Sequence, residues 1–246
     1  SSLSLTAVGG IGQTGRGDLD FTAGTVSVSN TGPGSVYLKS QAATTLTGAT
    51  LGSAGSFTFV QTSGALAITG PVTAPGGSIT IRAAGALTLT NAPLSAAQSL
   101  TVQAQSLTAS GSNLTATAGP ASLATQGALS LSANSGLTAG SGLTIASGGN
   151  LSLGAVSTTG TLDITVQGNL VTAAPALELQ ASYLRLMTTG TAGTSTSPIL
   201  TRTGSMDVLA GGTAYIQEQN GLTVGRGGVD LNSAPGTQVV LNVNGT

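Results

Sequence analysis

The chain has 246 residues, of which only six are Lys or Arg and seven Asp or Glu, giving a net charge of −1 with no Cys, His or Trp. This excludes a histidine-assisted Ser or Cys nucleophile, zinc sites of the usual ligand types and a disulfide scaffold. Six basic residues cannot build a face that neutralises phosphates, so nucleic acid is not an expected partner. Low charge with 31 Leu and 16 Val also sets the chain apart from a disordered one, despite its 38 Gly, 39 Thr and 29 Ser. No run approaches the ~18 apolar residues of a transmembrane helix, and no membrane insertion is expected.

In chain order, Ser2-Leu3-Ser4-Leu5 already reads as strand, and a signal peptide is expected to have been removed or to lie outside this stretch. Residues 9–34 are irregular, with Gly10-Ile11-Gly12 leading through a polar stretch to Val36-Tyr37-Leu38. From 35 to 186 the pattern becomes regular. Gly64-Ala65-Leu66, Gly85-Ala86-Leu87, Gly127-Ala128-Leu129, Gly149-Asn150-Leu151 and Gly168-Asn169-Leu170 recur at intervals of 21, 42, 22 and 19 residues, with Gln105-Ser106-Leu107 filling the double interval. The repeat is therefore about 21 residues long.

Each repeat holds three short alternations of apolar with Thr, Ser or Gln, the period-2 mark of one buried face. The first column begins near Val36, Phe57, Ile79, Leu100, Ala121, Leu143, Leu162 and Leu184. The second begins near Leu46, Leu66, Leu87, Leu107, Leu129, Leu151 and Leu170, and the third near Leu51, Val72, Leu94, Leu114, Leu137, Val156 and Leu177. A sandwich has no reason to keep three columns in phase. The expectation is an all-β parallel β-helix, or β-solenoid, over residues 1–246, with three strands per coil. Stacking at about 4.8 Å makes it a rod of ten to twelve coils, roughly 50–60 Å long. Gly64, Gly85, Gly127, Gly149 and Gly168 then mark corners, where positive φ favours glycine. Pro71, Pro93 and Pro175 sit at or near strand ends, where a missing N–H does little harm. Asp163 and Arg185 occupy one outward slot 22 residues apart and are expected to meet on adjacent coils. Residues 187–213 depart from the pattern much as 9–34 do. They run from Thr191-Ala192-Gly193 to Ala214-Tyr215-Ile216, which suggests longer coils with protruding loops and a larger super-repeat.

The Gly-Asn-Leu-x-Leu coils and the Gly-Ile-Gly…Tyr passages resemble the shaft repeats of filamentous-haemagglutinin-like large exoproteins. The resemblance spans essentially the whole chain. It implies a right-handed helix, a place on the bacterial surface or outside the cell, and work as an adhesin or stalk. Members exported by two-partner secretion carry Asn-Pro motifs in an amino-terminal secretion domain; no Asn-Pro occurs here.

Candidate sites are few. Arg16-Gly17-Asp18 could engage an integrin from a protruding loop, or be a solvated glycine-rich loop. Polysaccharide-cleaving enzymes need converging carboxylates. The only close pair is Asp18 and Asp20, while Asp163, Glu178, Asp207, Glu218 and Asp230 read as isolated surface charges. No phosphate loop, calcium nonapeptide or metal cluster is present, so neither cofactor nor catalysis is expected. Outward Thr and Ser rows, such as Thr58, Thr80, Thr101, Ser122 and Thr144, would suit glycan or ice, or simply a solvated face. The expected function is a structural or adhesive shaft. Partners are further copies, neighbouring repeats or glycans; a self-assembling filament is the alternative, and a polysaccharide-binding or -cleaving β-helix the second.

Overall fold

Segments in which Leu, Ile or Val alternate with Thr or Ser favour extended backbone and can bury only one side. In a computed structural model these segments form short strands, all paired in parallel, and no helix occurs among the described residues. The structure describes residues 1–14, 17–174, 178–222, 230–233 (backbone only) and 238–244. The fold is a β-solenoid of about ten turns with three faces, here called A, B and C.

Parallel stacking places each residue against its counterpart one coil away. On face A the inward column runs Val36, Phe57, Ile79, Leu100, Ala121, Leu143, Leu162, Leu184, Met206. Face B stacks Leu66, Leu87, Leu107, Leu129, Leu151 and Leu170, and face C stacks Val72, Leu94, Leu114, Leu137 and Val156. These columns make one continuous core. Phe57 and Phe59 are fully buried within it, and Phe21 meets Phe59 edge-on at 6.0 Å between ring centres.

Two column assignments differ from the sequence reading. Thr44, not Leu46, stands opposite Leu66, and Ala49, not Leu51, opposite Val72. The same strand bulges at Thr47 against the preceding coil, where Gly48 takes φ 151° and the register against Val26 and Ser27 slips. Thr44 can be buried because its hydroxyl bonds Ser40 Oγ at 2.6 Å and the Ala23 carbonyl at 3.1 Å. Near the other end Leu179 stands opposite Val156, two residues beyond the expected Leu177, which lies with Pro175 outside the described residues.

The corners need correction too. Of the five corner glycines only Gly64 has positive φ, at 82°. At Gly85, Gly149 and Gly168 the constraint is the neighbouring coil's backbone, which leaves little or no room for a Cβ. Their carbonyls also explain why strand A often ends on a buried polar residue. Ser147 Oγ donates toward Gly127 O and Gly149 O, both at 3.1 Å, Thr125 Oγ1 reaches Gly127 O at 2.8 Å, and Thr188 Oγ1 reaches Gly168 O. Asparagine does the corresponding work for N–H groups: Asn150 Oδ1 accepts from Asn169 N, and Asn169 Oδ1 from Thr191 N, both at 2.9 Å. The Asn of each Gly-Asn-Leu is thus a coil-to-coil clip.

The irregular stretches are shorter than 9–34 and 187–213. Leu19–Phe21, Thr25–Asn30 (across the bulge at Thr47) and Ile199–Ala210 all pair in the ladder. Among the described residues two excursions stand out, and both open on a glycine, Gly12 with φ 67° and Gly193 with φ 66°.

Two glycine variants separate close approach from corner conformation. Gly85→Ala drives a methyl into the Gly64 carbonyl and is expected to cost about 1–3 kcal/mol in urea unfolding. Gly127→Ala, whose methyl would lie 3.2 Å from Gln105 O, should change stability by under about 1 kcal/mol. Equal losses would refute the coil-contact account.

Candidate functional site

Since stacking turns each outward position into a column, the outer surface is read column by column. One column on face A runs Tyr37, Thr58, Thr80, Thr101, Ser122, Thr144, Asp163, Arg185, Asp207. It is a hydroxyl row that passes into a charge ladder. Arg185 Nη1 lies 3.2 Å from Asp163 Oδ2 across adjacent coils, a pair open enough to water to contribute only ~0–1 kcal/mol. Asp207, on the far side of Arg185, accepts a hydrogen bond from the Tyr183 hydroxyl. That bond, then burial, then the negative charge of Asp207, holds the Tyr183 proton above the ordinary value of 10.0. On face C the row Thr73, Ser95, Thr115, Thr138, Ser157 continues into Gln180 and Arg202, and Arg202 pairs with Glu178 at 3.2 Å.

Glu218 is not a surface charge. It is fully buried, and its carboxylate accepts from Thr201 Oγ1 at 2.8 Å, Thr203 Oγ1 at 3.1 Å and the backbone N–H groups of Thr203, Gln219 and Asn220 at 3.1 to 3.3 Å. Those donors saturate it, so it caps a corner and has no free lone pair to offer a substrate. Of the tripeptide Arg16-Gly17-Asp18, Arg16 lies outside the described residues. Gly17 O accepts from Gln13 N at 2.8 Å, and the half-buried Asp18 lines a cleft against the rod. Asp20 is taken up by Lys39 at 3.4 Å. Among the described residues no three His, Cys, Asp or Glu side chains gather as a metal site would need.

What sequence reasoning missed is a trough on face A. A cleft of about 340 Å³ there is lined by Thr14, Asp18, Tyr37, Thr58, Thr80 and Arg82. Arg82 also borders a second hollow of about 450 Å³ with Gln61, Gln103, Gln105 and Gln126 along its walls. The second hollow exists because alanines (Ala83, Ala84, Ala104 and Ala124) stand between those longer side chains. Among the described side chains Lys39, Arg185 and Arg202 each sit in an ion pair and Arg82 in none. The signal in the sequence was the column Val60, Arg82, Gln103, Ala124, legible only once the register is known.

With this geometry in view, comparison with family models, with curated proteins and with solved structures finds no match in any of the three.

The tyrosine bond carries a sign. A folded-state value raised above the unfolded one means that Tyr183 contributes stability below about pH 10, lost as pH rises through the folded value. With three tyrosines and no tryptophan, near-ultraviolet absorbance should show a late phase for the Tyr183 phenol, above pH 10. Tyr183→Phe should delete that late phase, and Asp207→Asn should move it down. An unchanged titration in both variants would disprove the contact. Glu218→Gln sets an amide N–H₂ against donors already aimed at the carboxylate, and should cost about 1–3 kcal/mol in denaturant unfolding; an unaltered midpoint would contradict the capping role.

Proposed function

We propose that the chain is a non-catalytic segment of the shaft of an extracellular bacterial adhesin or fibre, of the filamentous-haemagglutinin-like kind that its coils resemble. The observation that carries the reading is the uninterrupted parallel ladder, in which successive coils bond their neighbours along one sheet. Bending such a rod sharply requires breaking a layer of backbone hydrogen bonds, so it transmits position and force along its length. Near-neutral, hydroxyl-rich sides suit a body that must stay solvated without attracting charged material. The saturated Glu218 and the paired Asp20, Asp163 and Glu178 support a non-catalytic reading, because hydrolysis of a glycan requires available carboxylates. A second reading is end-to-end stacking of copies. It is supported by the ladder itself, in which each coil bonds the next through backbone groups that a coil of another copy can equally supply.

A shaft tolerates removal of whole coils. Deleting 143–183 brings Leu184 into the slot of Leu143, two coils down the same column. The shortened rod should stay folded by circular dichroism and lose about 10 Å in maximum dimension by X-ray scattering. In cells producing the full-length protein, the deletion should leave adhesion and protease accessibility on intact cells unchanged. Loss of adhesion with the rod folded, or protection from protease on intact cells, would refute the reading. If long filaments form at micromolar concentration in electron micrographs, end-to-end stacking replaces it.

A further inference from the structure

The trough on face A is not needed by a shaft. A solenoid side that only has to be wet is served by hydroxyl rows, and the hollow of about 290 Å³ on face C has its one carboxylate, Glu178, already paired with Arg202. Face A combines two hollows that share Arg82 with the fact that this arginine lies outside every described ion pair. We propose that this trough binds an acidic glycan, with Arg82 receiving the carboxylate of a uronic-acid-type sugar.

The chemistry follows from the lining. A guanidinium presents two parallel N–H groups to a carboxylate, a fit that a lysine ammonium does not reproduce. Arg82 is exposed, stands between the two hollows, and is a near neighbour of both hydroxyl and amide side chains. On one side are Thr58, Thr80 and the ring of Tyr37, which offer hydroxyl partners and a flat wall for a sugar face. On the other are Gln103, Gln105 and Gln126, whose amides both donate and accept, as sugar hydroxyls do. Asp18 on the wall of the first hollow accepts from hydroxyls and repels a second carboxylate, so the cleft sets the direction in which an acidic chain lies. The hollows measure about 340 and 450 Å³, each within the range of small-ligand sites, and their meeting at Arg82 suits a chain of sugars better than a single ring. A chain with net charge −1 has no general attraction for polyanions, so binding of an acidic polymer requires a local site. The inference stands apart from the shaft reading, since a trough of this lining would bind its glycan on any rod.

Titration calorimetry tests it with three probes: oligogalacturonate, the same oligomer methyl-esterified, and dextran sulfate. Oligogalacturonate should bind, esterification should weaken binding at least tenfold, and Arg82→Gln should do the same. Arg82→Lys should restore only part of the loss, because the charge returns without the fork. Arg185→Gln, on the same face at a distant coil, should leave binding unchanged. Arg82 is exposed, so its variants are expected to fold, and circular dichroism verifies that they do. The proposal is overturned if the wild-type protein does not bind oligogalacturonate at millimolar concentration, if the esterified oligomer binds equally well, or if Arg82→Gln binds like wild type. Dextran sulfate binding that survives Arg82→Gln and matches oligogalacturonate in strength would assign the effect to unspecific anion attraction, and would equally overturn it.

Discussion

Every feature of this protein depends on parallel stacking at about 4.8 Å, which sets each residue on its own counterpart one coil away. Like must therefore tolerate like. Leucine over leucine is favourable and builds the core, and threonine over threonine is neutral and builds the sides. Charge over like charge is unfavourable, which accounts for a chain with so few charged residues. Several neighbouring charges in a column do alternate in sign, Asp163, Arg185, Asp207 on face A and Asp20 beside Lys39, although Asp230 then stands opposite Asp207. Corners obey the same constraint. Backbone there crowds the next coil's backbone, so glycine is required by space more than by φ, and the carbonyls turned inward are answered by Ser147, Thr125 and Thr188.

This explains what could be read from the sequence. Inward columns repeat with little variation, so Phe57 over Ile79 over Leu100 was legible from spacing alone, as was Asp163 beside Arg185. The failures came where chemistry departs from the binary pattern. Thr44 takes a core slot although polar, because its hydroxyl is satisfied internally, so the reading passed it over for Leu46. Glu218 was misplaced for the same reason: the sequence displays a charge, but not the five donor groups from Thr201, Thr203, Gln219 and Asn220 that gather around it. The trough escaped notice because it is a relation between columns, and two residues of register error would dissolve it.

The two excursions add a geometric lesson. The glycines that open them have matching surroundings. Gly12 approaches the carbonyl of Tyr37 and the N–H of Leu19, and Gly193 approaches the carbonyl of Tyr215 and the N–H of Ile199. In each case the residue before the glycine bridges to the strand carrying the tyrosine, Ile11 to Val36 and Ala192 to Ala214. Yet Val36 belongs to the inward column of face A, and Ala214, through Ala192 and Leu170, to that of face B. The sequence super-repeat of 178 residues between Tyr37 and Tyr215 thus advances by a whole number of coils plus one face. A fibre built of such units would carry its loops around its axis in steps instead of along one side.

A stacked fold has difficulty making a site, since repetition spreads any local feature along the rod. A recognition site needs a place where neighbouring coils differ. On face A that difference arises within three layers: Val60 gives way to Arg82 and then Gln103, while alanines open the space beside them and Thr14 and Asp18 border it. The departure from repetition, more than the repetition itself, is where this chain has room to be specific.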